Sequence, residues 1–251
     1  MKVAAIQHDV VWEDVAATTA RLTQPISAAV VGGARLVVLT EMFATGFTSA
    51  PERLAEGTTG GPATMFLLEQ AALHGVWIAG SIAVRSGDGF RNRFTLAGPS
   101  GERYTYDKIH PFSYAGEHEH YEAGTEIVTF DVEGVRVTPF VCYDLRFADE
   151  FWSVADATDV YVVPANWPAT RRHHWRSLLV ARAIENQAYV IGVNRLGSGG
   201  GLEYSGDSMI IDPLGETLAS AAQSEAVLIV DIDPEQVTET RARFPFLPDR
   251  R

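Results

Sequence analysis

Apolar residues along this chain gather into short, almost unbroken runs, and the stretches between them repeat with helical spacing. Val3 to Ile6 reads as a buried strand. Asp14 is placed to cap a helix that runs through an alanine-rich segment to about Val31, with a kink expected at Pro25 and a stop at Gly32-Gly33. Arg35 to Thr40, RLVVLT, is a second buried strand that terminates at Glu41. Pro62 to His74 has helical character and Gly75 ends it. Val76 to Val84 is another apolar strand. Phe90 to Leu96 and Glu102 to Tyr106 form a hairpin about Gly98-Pro99-Ser100-Gly101 and deliver Lys108 at its end. A loop from Ile109 to Gly124 follows.

The second half repeats the alternation. Ile127 to Val132 and Val135 to Val141 pair about Glu133-Gly134, and the second run stops at Cys142. Phe147 to Ala155 is helical, and Val160 to Val163 is a strand that ends in Pro164-Ala165-Asn166-Trp167-Pro168. Arg171 to Gln187 carries the clearest helical period. Ala188 to Val193 is a strand, Ser208 to Asp212 and Glu216 to Ser220 a hairpin about Pro213-Leu214-Gly215, and Val227 to Ile232 a closing strand. Pro234 to Arg243 is a last short helix. Strands that are apolar throughout, rather than every second residue, indicate sheets covered on at least one face by helices. The two halves are loosely similar, so a two-sheet sandwich flanked by helices is expected, built as one domain over residues 1–251.

Composition narrows the function. The 251 residues are 46% hydrophobic and 21% charged, ordinary for a globular protein. A net charge of −12 argues against nucleic acid and against an anionic membrane surface. No stretch approaches the roughly 18 apolar residues of a membrane span, and the N-terminus lacks the long apolar region of a signal peptide. A single cysteine excludes an intramolecular disulfide and fits a reducing compartment, so a cytoplasmic location is expected.

That cysteine ends a buried run, VTPFVC, and polar residues follow at once. A side chain placed where a strand gives way to a helix is held on rigid backbone beside free N–H groups. Cys142 is therefore a candidate nucleophile, the alternative being a small apolar residue filling space. Glu41 and Lys108 also sit where apolar strands end, 67 residues apart, with Cys142 a further 34 on. If those ends share one edge, the chemistry is self-consistent. A thiol needs a base, which Glu41 supplies. An ammonium, with the Tyr143 backbone N–H, stabilises the oxyanion formed on a carbonyl. An ordinary Glu41–Lys108 ion pair is the competing expectation.

The residues also carry a resemblance. TEMFATGF (Thr40 to Phe47), YDKIHPF (Tyr106 to Phe112) and VCYDLRF (Val141 to Phe147) resemble the three signature segments of the nitrilase, or carbon–nitrogen hydrolase, superfamily. The resemblance implies a four-layer αββα sandwich of two mixed sheets flanked by helices, a homodimer formed through the helices, no cofactor, and a Glu–Lys–Cys triad of Glu41, Lys108 and Cys142. It also implies a second glutamate before a turn, matched by Glu117, with Glu119 as the alternative. The segments Pro164 to Gly197 and Tyr204 to Glu216 resemble the ω-amidase branch. Its substrates are the terminal amides of 2-oxo dicarboxylates such as 2-oxoglutaramate and 2-oxosuccinamate. The branch acting on deaminated glutathione shares CYDLRF and ARAIENQ, so that substrate, another small amide or N-carbamoyl compound, and a catalytically silent homologue remain as alternatives.

Other residues are assigned by position. Phe43, Phe112, Tyr114 and Trp167 are candidate pocket walls. Asp144 and Arg146 are expected to pair with each other and fix the elbow at Cys142. Arg171, Arg172 and Arg195 are candidates to hold a substrate carboxylate. His118-Glu119-His120 and His173-His174 fit no metal-ligand spacing, so no metal is expected. Gly199-Gly200-Gly201 reads as a flexible loop.

Overall fold

The first half of the chain builds one sheet and its cover. In the computed structural model, which describes residues 1–250, the strands of that half are β1 (Lys2–Gln7), β2 (Leu36–Val38), β3 (Trp77–Ser86), β4 (Gly89–Ala97) and β5 (Arg103–Asp107). Its helices are α1 (Val15–Val31), the single turn α2 (Pro51–Leu54) and α3 (Pro62–His74). The second half contributes α4 (Glu117–His120), β6 (Phe130–Val132), β7 (Val135–Pro139), α5 (Ala148–Ser153), β8 (Val160–Ala165), α6 (Arg172–Asn186) and β9 (Tyr189–Asn194). It closes with β10 (Leu196–Gly199), β11 (Leu202–Ile211), β12 (Thr217–Ala222), β13 (Ala226–Asp231) and α7 (Pro234–Arg243).

Six strands form one sheet in the order β13-β1-β2-β3-β4-β5, and seven form the other, β10-β11-β9-β8-β7-β6 with β12 beside β11. Each is mixed. β1, β2 and β3 run parallel in the first, and β7, β8 and β9 in the second. The apolar runs follow from two-sided burial. Along β1, Val3 and Ala5 face the second sheet, while Ala4 and Ile6 pack under α1 and α3 with Leu22, Ile26 and Leu67. α6 covers the second sheet so closely that a Cβ on Gly192 of β9 would lie 2.4 Å from Leu179. The result is the expected αββα layering.

Local signals were accurate at caps and weaker at strand lengths. The Asp14 side chain accepts from the Ala17 N–H at 2.9 Å, and α1 then runs unbroken through Pro25. Gly75 ends α3 at φ +66°, in the left-handed region that glycine enters freely. β2 keeps only three of six expected residues, and β7 stops at Pro139 rather than Val141. The Gly199–Gly201 segment is not a flexible loop. It closes a β10–β11 hairpin, and a Cβ on Gly199 would meet the Trp12 indole at 2.4 Å. Gly199 and Gly200 let Trp12 lie against the backbone, and Gly201 supplies the left-handed φ of +77° that the turn needs.

Candidate active site

The C-terminal ends of β2, β5, β7 and β8 open onto one edge of the sandwich, where the chain leaves the sheets for Glu41, Lys108, Cys142 and Asn166. Three of the four are the residues singled out from sequence. Lys108 follows β5 directly and is 1% exposed, and Glu41 is 0% exposed. Ionised groups so far from water must be paired. The Lys108 Nζ donates to Glu41 Oε1 at 2.9 Å and to Glu117 Oε2 at 2.8 Å. The ammonium thus sits between two carboxylates. Glu117 opens the turn α4 and also accepts from the Phe112 N–H. Glu119 is exposed and lies outside this set, so the buried second glutamate is Glu117.

Residues that no motif reading had assigned a role hold the row in place. Asn92 of β4 donates to Glu41 Oε1 at 2.8 Å and to Glu117 Oε1 at 3.1 Å. Ser81 of β3 orients Asn92 by donating to its Oδ1 at 2.8 Å, and accepts from the Met42 N–H at 2.8 Å. Asn166, after β8, donates its backbone N–H to Glu41 Oε2 and its side-chain amide to the Glu41 carbonyl, at 2.8 and 2.7 Å. Asn166 had a sequence signal, a polar residue directly after the apolar strand β8, whereas Asn92 sits between Arg91 and Arg93 with nothing to mark it.

Cys142 begins a single 3-10 turn, Cys142–Arg146, at φ +49°. A non-glycine residue there is strained, by about 1–3 kcal/mol, and persists only where its surroundings over-determine it. The turn is anchored from two sides. Arg182 of α6 donates to the Leu145 carbonyl at 2.7 Å, and the Asp144 carboxylate accepts from the Val141 N–H at 2.9 Å. Tyr143 occupies the second position of the turn, where a backbone N–H has no partner within the turn itself.

The electrostatics follow from burial and these neighbours. Burial pushes the Cys142 thiol well above its usual range, and the Glu41 carboxylate adds to this while Lys108 opposes it. At rest the sulfur is a protonated thiol, which could act as a nucleophile only with a base to take its proton. Burial disfavours the Lys108 ammonium, but the charges of Glu117 and Glu41 together outweigh it and hold its pKa well above the usual lysine value.

Cys142 lines a small, half-open cavity of about 20 Å³ together with Phe112, Tyr143, Arg146, Asn166, Trp167 and Arg171, among others. Phe112 and Trp167 are therefore where the sequence placed them. Phe43 and Tyr114 are not. Phe43 is buried against Phe66 and Gly80 in the α1–α3 layer, and Tyr114 is 84% exposed. Asp144 and Arg146 do not pair either. Asp144 points inward to Tyr106 and His110, while Arg146 lies over the Trp167 ring and donates to His174 at 3.2 Å. Of the three candidate arginines only Arg171 reaches the cavity. Arg172 is bound to Asp207 at 2.6 Å, and Arg195 to Asp9 and backbone carbonyls. Arg146 and Arg171 rest on Trp167 and Phe112 and, among the described residues, have no carboxylate partner. The described residues contain no group of three or more metal-ligating side chains, and no helix long and apolar enough to cross a membrane.

A thiol at a strand-to-turn elbow beside a carboxylate–ammonium–carboxylate row, on a four-layer α/β frame, is the equipment of a hydrolase of carbon–nitrogen bonds. Comparison with known proteins agrees. Residues 2–242 match the family model described as carbon-nitrogen hydrolase, and the chain belongs to that family. It is 40% identical to the omega-amidase YafV of Escherichia coli K12, over 99% of this chain and 96% of that protein. It is 37% identical to the 2-oxoglutaramate amidase of Bacillus subtilis strain 168, over 87% and 85%. Among solved structures, XC1258 of Xanthomonas campestris, a superfamily member with an arsenic adduct in its active site, superposes with a TM-score of 0.94. It is 35% identical, with 100% of this chain and 97% of that one covered.

Proposed function

We propose that this hydrolase cleaves the terminal amide of a small 2-oxo dicarboxylate monoamide, 2-oxoglutaramate or 2-oxosuccinamate, to the acid and ammonia. The observation that carries this reading is the pairing of one site with two guanidinium groups that have no carboxylate partner. Cys142 shares its cavity with Arg146 and Arg171, which supply positive charge for a substrate carboxylate. Relatives named for ω-amidase and 2-oxoglutaramate amidase activity support the same substrate.

In this mechanism the Cys142 sulfur attacks the amide carbonyl carbon, and Glu41 takes the thiol proton. The oxyanion is met by the Lys108 ammonium and the Tyr143 N–H. The tetrahedral adduct collapses, the carbon–nitrogen bond breaks, and Glu41 returns the proton to the departing ammonia. Water, activated by Glu41, then cleaves the thioester and restores the thiol. Glu117 holds Lys108 in place. No cofactor takes part.

The test is ammonia release across 2-oxoglutaramate, 2-oxosuccinamate, deaminated glutathione, a neutral amide of equal length and an N-carbamoyl compound. The 2-oxo monoamides should be preferred by at least about tenfold in kcat/KM; preference for a neutral or bulky amide overturns the assignment. Arg171→Ala should raise KM for 2-oxoglutaramate about 10–100-fold with kcat little changed, as loss of a charge-assisted contact does. An unchanged KM would remove Arg171 from the site.

The same reading places the protein in the cytoplasm as a homodimer. Ile184 of α6 is exposed beside the β11–β12 turn, which exposes Leu214, and this apolar pair is suited to a second copy of this chain. Ile184→Glu should halve the mass measured by light scattering at micromolar concentration. A wild-type protein that is already monomeric refutes the dimer.

A further inference from the structure

Of the buried ionisable groups the mechanism leaves unused, Asp144 touches both halves of the catalytic set. We infer that Asp144 is a positioning residue that fixes the nucleophile's elbow against the strand end carrying the lysine. The inference rests on Cys142 and Lys108 acting as proposed above.

The geometry is direct. Asp144 is fully buried. Its Oδ2 accepts from the Val141 N–H at 2.9 Å and from the Tyr106 hydroxyl at 2.8 Å, and its Oδ1 accepts from the His110 N–H at 2.9 Å. Val141 directly precedes Cys142, and Tyr106 and His110 stand two residues on either side of Lys108. One carboxylate therefore clamps the peptide before the sulfur and both flanks of the ammonium. The Asp144 N–H also closes the turn onto the Val141 carbonyl at 3.1 Å. The left-handed backbone at Cys142 needs such over-determination.

Few other charges face this carboxylate. Lys108 is the cation facing it from the end of β5, with Glu41 and Glu117 on that ammonium's other contacts. Cys142 lies on the same turn as a neutral thiol. Tyr106 presents its hydroxyl, and Glu150 acts on that tyrosine only through space. The His110 imidazole turns away to Glu150 at 3.3 Å. Burial pushes the Asp144 carboxyl up to about 6, against the opposing pull of Lys108 and the three donors. A proton taken up there removes the negative charge that strengthens all three bonds, and of the three partners only the Tyr106 hydroxyl can turn to accept it, so the clamp weakens. The elbow is therefore held while Asp144 is ionised and loosens as pH falls through about 6.

Steady-state kinetics with 2-oxoglutaramate from pH 5 to 8.5 test this in the wild type, Tyr106→Phe and Asp144→Asn. In the wild type kcat should fall on the acid side with a midpoint near 6, while KM changes little. Tyr106→Phe removes a donor to the anion, so its midpoint should move up by about half to one pH unit. Asp144→Asn should lower kcat at pH 8 by about 10–100-fold with KM within about threefold, and should lack the step near pH 6. A wild type with no such step, or a midpoint that stays put in Tyr106→Phe, overturns the proposal. If Asp144→Asn fails to fold, Tyr106→Phe alone decides. Cys142→Ala separates the two readings: an active Cys142→Ala removes the catalytic scheme, whereas an inactive one beside an immobile midpoint removes only the clamp.

Discussion

Cys142→Ala should abolish ammonia release from 2-oxoglutaramate, by at least about ten-thousandfold in kcat, while the melting temperature changes by only a few degrees. The large kinetic effect follows from the covalent route, in which no other group in the cavity can form the thioester. The small structural effect follows from what the substitution removes. One sulfur atom leaves a cavity wall rather than the centre of a packed layer, so little contact is lost. Because the resting thiol is protonated, held there by burial and by Glu41, the wild type should also react slowly with iodoacetamide at neutral pH and faster as pH rises. Turnover within about a hundredfold of wild type in Cys142→Ala would rule out attack through sulfur.

What could be read from the sequence, and what could not, divides along a physical line. Glu41 and Cys142 were legible because each ends an apolar run, and a polar residue at such a boundary is placed by the strand before it; Lys108 follows the mixed strand Arg103–Asp107 and was legible through its segment YDKIHPF. The layers were legible because two-sided burial leaves no polar alternation in β1, β8 or β9. Side-chain direction in the turns was not. Met42 takes φ +40°, and the chain there carries Phe43 back under α3 rather than out to the cavity. A 3-10 turn has three residues per turn, so Asp144 and Arg146, two apart, leave it in different directions. One goes to the buried Tyr106 and the other to the cavity. Ser81 and Asn92 were invisible for a different reason. Ser81 is a lone polar residue in β3 and Asn92 lies between two arginines in β4, so both look like solvent-facing positions until the fold shows them buried. That Ser81 orients Asn92, and Asn92 holds two carboxylates, depends on pairings across 11, 25 and 51 residues.

Lys108→Met should cut kcat/KM by about a thousandfold or more and also lower the melting temperature, and the two effects can be separated. In the proposed mechanism its ammonium is the cation set against the oxyanion, and oxyanion donors are worth a hundred- to a thousandfold each. It is also the counter-charge for two carboxylates buried beside it. Removing one partner of a buried pair costs about 3–5 kcal/mol, because charge is left uncompensated in a low-dielectric site. For a chain of this size that is about 6–20 °C in melting temperature. Without the ammonium the Glu41 and Glu117 carboxylates face each other with no cation between them. The double variant Lys108→Met with Glu117→Gln removes one positive and one negative charge together. It should regain most of the lost stability and almost none of the lost activity. If activity returned with stability, Lys108 would be a structural ion and not part of the chemistry. Activity absent from a protein restored to wild-type stability leaves the ammonium facing the oxyanion as the account that fits.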